Sequence, residues 1–304
     1  MASMLEYMGL RPPKLPTSDA SGVRVLFIHG VQADPQQYKA QVVAKAGFDV
    51  FAPNMGTKPL AFLSILVLVL LISLIGFMGS YVYQRVRYRP QKERAVALVL
   101  FALFALLLLL LFVSVNSAVW RWKFARCQQL IRVSIEDFQP HAIVASSFGA
   151  AVAVEMIRTG CWSGPTVLLS PAVDMVHRLT RLGRGEPPTI PPGVPVSVVH
   201  GQSDWIAPFT DAIRLFRESK GDVHFIDAES DGHFLQSWND PLDMRHLVME
   251  TLSFHVDDDS LASSYVRTQS NASGHAGRYR FTTQIRAVRR AQKERSAAAV
   301  TIGL

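Results

Sequence analysis

Short apolar, β-branched runs alternate with amphipathic stretches along most of the chain, and two much longer apolar runs interrupt the alternation. Val23–Ile28 ends at His29-Gly30 and has the form of a buried parallel strand stopped by a turn. Pro35–Ala46 has helical spacing closed by Gly47, and Asp49–Ala52 makes a second short strand before Pro53. Beyond the long runs, Arg121–Phe138 is amphipathic, and Ala142–Ala145 is a strand feeding directly into a helical pattern, Gly149–Arg158. The rhythm continues with strand Thr166–Leu169, a Pro- and Gly-rich link at Arg184–Pro195, strand Val196–Val199 and helix Phe209–Ser219. Strand Val223–Ile226 and helix Pro241–His255 complete it. Such alternation predicts an α/β domain, a parallel sheet with helices on both faces joined by right-handed crossovers.

The two long runs, Leu60–Tyr83 and Ala95–Trp120, carry no charged residue. Each exceeds the roughly 20 apolar residues that cross a hydrocarbon core, and neither shows the polar stripe of a core helix. They predict a two-helix transmembrane hairpin at 60–119, with spans 60–83 and 95–119. Only two strands precede the hairpin and their partners follow it, so the α/β domain is discontinuous, 23–59 and 120–256. Residues 1–22 form an N-terminal segment. From Asp257 the chain turns polar, rich in Ser, Ala, Gly and Arg, and 257–304 is expected to be a disordered basic tail.

Charge and cysteine content narrow the classes. The formal net charge of +7 concentrates in the loop Arg85, Arg87, Arg89, Lys92, Arg94 and in the tail from Arg278 to Arg295, a pattern suited to anionic lipid. No nucleic-acid-binding motif accompanies it, so no nucleic acid partner is expected. Two cysteines, Cys127 and Cys161, give neither a disulfide framework nor metal-ligand spacing. Met1–Asp19 has no apolar core of a secretory signal. A short connection between two spans puts both hairpin ends on one side. The positive-inside rule leans toward a cytoplasmic loop, with five basic residues there against Lys58, Arg121, Lys123 and Arg126 on the domain side. Export of the two preceding strands without a signal argues the other way. The expectation is an integral membrane protein of two spans with its catalytic domain in the cytosol, where the sequon Asn271-Ala272-Ser273 is irrelevant.

Three loops at strand ends carry chemistry. In Ala145-Ser146-Ser147-Phe148-Gly149, small residues lie two places on either side of Ser147, the frame a nucleophile elbow needs where strand and helix nearly touch. Ser146 as nucleophile puts Val144 and Phe148 in those positions, which is sterically worse. Asp204, in His200-Gly201-Gln202-Ser203-Asp204, follows a strand and suits the acid that orients an imidazole, with Asp174 as rival. His233 lies in a loop past the last predicted strand, whereas His224 sits in a strand and His246 and His255 in a helix. The loop position selects His233 as base.

The order Ser, Asp, His, each past a successive strand, resembles the α/β-hydrolase superfamily, in particular its small esterase-like and dienelactone-hydrolase-like members. VASSFGAAVAVEMIR, LLSPAV and HGQSDWIAP carry the resemblance, which covers Val23–Asn54 and Arg121–His255. It implies acyl transfer to water through Ser147, His233 and Asp204 without metal or cofactor. It also implies an oxyanion hole made by the N–H of Phe148 and of Val31, after His29-Gly30, with Gln32 as second candidate. Two departures stand out: Pro171–Gly193 is too short for a cap domain, and the apolar hairpin is inserted at the active-site edge. The second points to a lipophilic acyl ester or thioester as substrate. An inactive membrane scaffold on the same fold, or an acyltransferase or peptidase using the same residues, are the alternatives; the pattern leaves acyl chain, head group, membrane and oligomeric state open.

Overall fold

A computed structural model describes residues 22–31, 37–180 and 188–253. Gln32, the basic tail, the sequon, the start of the 35–46 helix and the first residues of the Arg184–Pro195 link lie outside the described residues. Six strands are described: β1 (Arg24–Ile28), β2 (Asp49–Phe51), β3 (Ala142–Ser146), β4 (Thr166–Leu169), β5 (Pro195–His200) and β6 (Asp222–Asp227). They form one parallel sheet in the order β2-β1-β3-β4-β5-β6. The helices are α1 (Tyr38–Lys45), α2 (Lys58–Val86), α3 (Gln91–Phe138), α4 (Phe148–Arg158), α5 (Val173–Thr180), α6 (Phe209–Glu218) and α7 (Pro241–Ser253).

The strands are short apolar runs buried on both faces, as a parallel sheet covered by helices requires. Their two-residue period divides the core. Leu26, Ile28, Ile143, Ala145, Leu168, Val196 and Val198 face α3, α4, α5 and α6. Val25, Phe27, Ala142, Val144, Val167, Leu169 and Val199 face α1 and α7. The chain runs from β1 outward to the edge strand β2, then returns to place β3 on the other side of β1. The sheet therefore reverses its winding between β1 and β3, and the crevice at their carboxyl ends is where open α/β sheets bind ligands.

The long apolar runs are parts of α2 and α3, each long and apolar enough to cross a membrane. Phe62, Leu70, Phe77 and Leu107 are among the many large apolar side chains that these helices leave uncovered. The expected boundary near Arg121 is not a break in the backbone. Gln91–Phe138 contains no Gly or Pro and runs as one 48-residue helix to Gln139, in the left-handed conformation at φ 51°, just before Pro140. From Ser117 onward a stripe of Trp120, Phe124, Cys127, Ile131 and Ser134, at alternating three- and four-residue spacing, is buried against the domain. The preceding turns stand clear of it. Edge strand β6 is longer than expected, because Asp222 and Asp227 pair with Pro195 and His200 of β5 despite their low strand propensity.

Candidate active site

Ser147 is the turning point between β3 and α4. Its backbone adopts φ 54°, ψ −117°, a conformation costly for a residue with a Cβ. Neighbouring strands hold it there: the Ser147 amide donates to the Leu169 carbonyl at 2.9 Å, and its own carbonyl accepts from Ala150 and Ala172. Strand and helix approach so closely that a Cβ at Gly149 would collide with the carbonyl oxygen of Ile28 on β1. Ala145 is fully buried. The small residues on either side of Ser147 are thus a steric requirement of this turn.

The Ser147 hydroxyl lies 2.8 Å from His233 Nε2, and His233 Nδ1 lies 2.8 Å from Asp204 Oδ2. The three residues proposed from sequence converge at one point on the carboxyl edge of the sheet. In the tautomer whose Nε2 accepts the Ser147 hydroxyl, the ring carries its proton on Nδ1, facing the carboxylate. Asp204 Oδ1 accepts the amides of Ile206 and Ala207, each at 2.9 Å. One carboxylate oxygen organises the turn that precedes α6 while the other meets His233. Burial pushes the Asp204 carboxyl upward, but the hydrogen bonds from His233 and the two amides outweigh it and hold the group below the ordinary carboxylate range.

His200, at the end of β5, was not singled out from the sequence. Its Nε2 donates to the Ala207 carbonyl at 2.8 Å and sits 3.4 Å from Asp204 Oδ2. Burial lowers its pKa, and the ring closes the acid loop beside Asp204. Its Nδ1 and the Ser170 hydroxyl, at adjoining ends of β5 and β4, are buried without a hydrogen-bond partner among the described residues. The acid loop approaches the base loop so tightly that a Cβ at Gly201 would strike the Asp231 carbonyl. Lys39 ties down the far side of the base loop, donating to Leu235, Trp238 and Asn239 at 2.7 to 3.2 Å.

Asp174, the rival acid, lies on α5 and forms a two-point ion pair with Arg214 of α6, one contact being Arg214 Nε to Asp174 Oδ2 at 2.8 Å. That pairing commits it to holding two helices together. Asp174→Asn is therefore expected to lower the melting temperature while leaving kcat/KM of the folded fraction within about twofold; paired activity and thermal-melt measurements check this.

Gly30 lies against the elbow, since a Cβ there would stand 3.3 Å from Ser147 Cβ and 3.8 Å from its Oγ. Val31 follows Gly30 in the chain. The Phe148 amide belongs to the first turn of α4, where helical geometry supplies no internal acceptor. These are the two backbone donors expected from sequence. Two aromatic side chains neighbour the site: Trp205, directly after Asp204, is 83 % exposed, and Phe234, directly after His233, is 71 % exposed. Among the described residues no group of three or more His, Cys, Asp or Glu side chains has the arrangement to hold a metal ion.

A parallel sheet that reverses its winding beside a strained strand-to-helix serine turn defines an α/β-hydrolase fold. Solved structures to which the chain is similar include an alpha-beta serine hydrolase homologue from Coxiella burnetii, at 13 % identity over 78 % of this chain and 88 % of that one, TM-score 0.42. The esterase domain of a Rhodothermus marinus protein matches at 11 % identity over 79 % and 90 %, TM-score 0.41. A dienelactone hydrolase from Anabaena variabilis matches at 11 % identity over 80 % and 96 %, TM-score 0.40. No family model and no curated sequence matches the chain.

Proposed function

We propose that this chain is a membrane-anchored serine hydrolase that cleaves a carboxylic ester or thioester of a lipophilic acyl substrate. The observation that carries the reading is the relay from Ser147 Oγ to His233 Nε2 and from His233 Nδ1 to Asp204, both links at 2.8 Å. In this reading Ser147 attacks the acyl carbonyl as His233 takes its proton. Asp204 keeps the imidazole in the required tautomer and stabilises the imidazolium that forms. The N–H groups of Val31 and Phe148 receive the developing oxyanion. His233 then protonates the departing alcohol or thiol, and water, activated by the same imidazole, releases the acid from the acyl-enzyme. Every step uses groups of this chain and water.

The way α3 divides supports anchoring. The turns before Ser117 span about 26 residues, roughly 39 Å at 1.5 Å per residue, enough for a hydrocarbon core of about 30 Å. The large apolar side chains exposed along two adjacent helices suit a non-aqueous surrounding. α2 leaves the domain just past the carboxyl end of β2, on the edge that holds Ser147 and His233. A hairpin rooted on that edge would hold the site near a bilayer, where lipophilic acyl groups concentrate. With β1, α1 and β2 made before the first span, the cytosolic side is the one that requires no translocation of domain segments.

Two measurements test this reading. The full chain is expected to remain in the membrane pellet through carbonate extraction; release into the supernatant contradicts anchoring. In a panel of p-nitrophenyl and lipid esters, the chain is expected to favour long acyl groups presented in bilayers. Absence of hydrolysis across the panel contradicts the enzymatic reading.

A further inference from the structure

Taking the proposed hydrolase reading as its basis, we infer that Thr57, the residue immediately before the first hairpin helix, is a positioning residue for the oxyanion hole and couples hairpin seating to catalysis. Thr57 is fully buried at the N-cap of α2. A threonine there ordinarily turns its oxygen back to cap its own helix. This one makes no capping bond and donates its hydroxyl to the Val31 carbonyl at 2.7 Å.

Val31 is held from both sides by the chain entering the hairpin. The Met55 amide donates to His29 Nε2 at 3.2 Å, which leaves the proton of the neutral ring on Nδ1, where it is donated to the Gly30 carbonyl at 2.8 Å. The Gly30 carbonyl and the Val31 N–H belong to one planar trans peptide and point in opposite directions. Fixing that carbonyl aims the N–H. Thr57 fixes the next peptide, so both planes flanking Val31 are set by residues 55 and 57. The second donor has a matching support on the other hairpin helix. The ring of Phe148 is buried against Trp120 and Phe124 of α3, with centroids 5.9 and 5.7 Å away, the latter edge-on. Each candidate oxyanion donor thus rests on residues continuous with one of the two hairpin helices, Met55 and Thr57 just before α2 and Trp120 and Phe124 just after the apolar part of α3. A shift of either helix moves a donor relative to Ser147, and a misplacement of about 1 Å is enough to change rates strongly.

The test uses the full chain reconstituted in bilayers, with a short soluble p-nitrophenyl ester as substrate. Thr57→Val, which keeps the shape and removes the hydroxyl, is expected to lower kcat by about tenfold to a hundredfold with KM nearly unchanged. Thr57→Ser is expected to restore kcat to within about threefold of wild type, since it restores the bond. Thermal melts report whether each variant folds. Independently of any variant, wild-type kcat is expected to differ by about threefold or more between thin, short-chain and thick, long-chain phosphatidylcholine bilayers, because mismatch reseats the hairpin. Wild-type activity with a folded Thr57→Val equal to it, a Thr57→Ser loss as large as that of Thr57→Val, or a wild-type kcat indifferent to bilayer thickness overturns the inference and leaves the hydrolase reading intact. A wild type that neither hydrolyses the ester nor reacts with a fluorophosphonate removes both.

Discussion

Ser147→Ala is expected to lower kcat for ester hydrolysis by about a millionfold, the scale on which loss of a serine nucleophile acts when base and oxyanion donors remain. The hydroxyl is the atom that meets His233, and the substitution removes it while keeping the Cβ that the elbow already accommodates at φ 54°. The backbone bonds of residue 147 to Leu169, Ala150 and Ala172 do not involve the side chain, so the fold is expected to survive. Residual hydrolysis of about a thousandfold over water is the expected floor, supplied by oxyanion stabilisation and binding. Single-turnover kinetics with a chromogenic ester, alongside a thermal melt, separate lost chemistry from lost folding.

Asp204→Asn is expected to cost about four orders of magnitude in kcat with little change in overall geometry. The mechanism is tautomeric. A carboxylate can only accept the proton on His233 Nδ1, whereas an amide can present its NH2 to that nitrogen and drive the proton to Nε2, where it blocks acceptance from Ser147. The Oδ1 side is more forgiving, because the asparagine carbonyl can still accept the amides of Ile206 and Ala207. Asp204 also links stability to pH. Its folded pKa lies below the ordinary value, so the native state holds the proton less well than the unfolded chain. The stability this contributes is complete above the ordinary aspartate pKa of about 3.9 and is lost as pH falls through the depressed folded value. Asp204→Asn is expected to flatten that part of an acid-unfolding curve.

The most legible parts of the site are those governed by local sterics. Small residues around Ser147 mark a turn in which strand and helix nearly touch, and the collision facing any Cβ at Gly149 is the physical content of that pattern. His233 was legible because side chains within a strand or helix reach the carboxyl edge less readily than one in a loop past it. The choice between Asp204 and Asp174 was not legible. Both follow strands, and what separates them is a partner 40 residues away, Arg214, whose placement depends on how α5 packs on α6. Thr57 was not legible in the sequence, because its bond to Val31 depends on where a loop 26 residues earlier returns. The continuity of α3 was obscured for another reason. Its side-chain pattern changes near Ser117 from predominantly apolar to striped because its surroundings change, while the backbone helix runs on unaltered.

Ser147 Oγ is the nucleophile in the proposed mechanism, and the most direct measurement is the site of a fluorophosphonate adduct on the full, membrane-reconstituted chain. Ser146 and Ser147 fall in one tryptic peptide, Val133–Arg158, so fragment masses decide between neighbours. A single adduct on Ser147, abolished in Ser147→Ala, is the predicted result. An adduct on Ser146, one that persists in Ser147→Ala, or none on the folded wild type contradicts it.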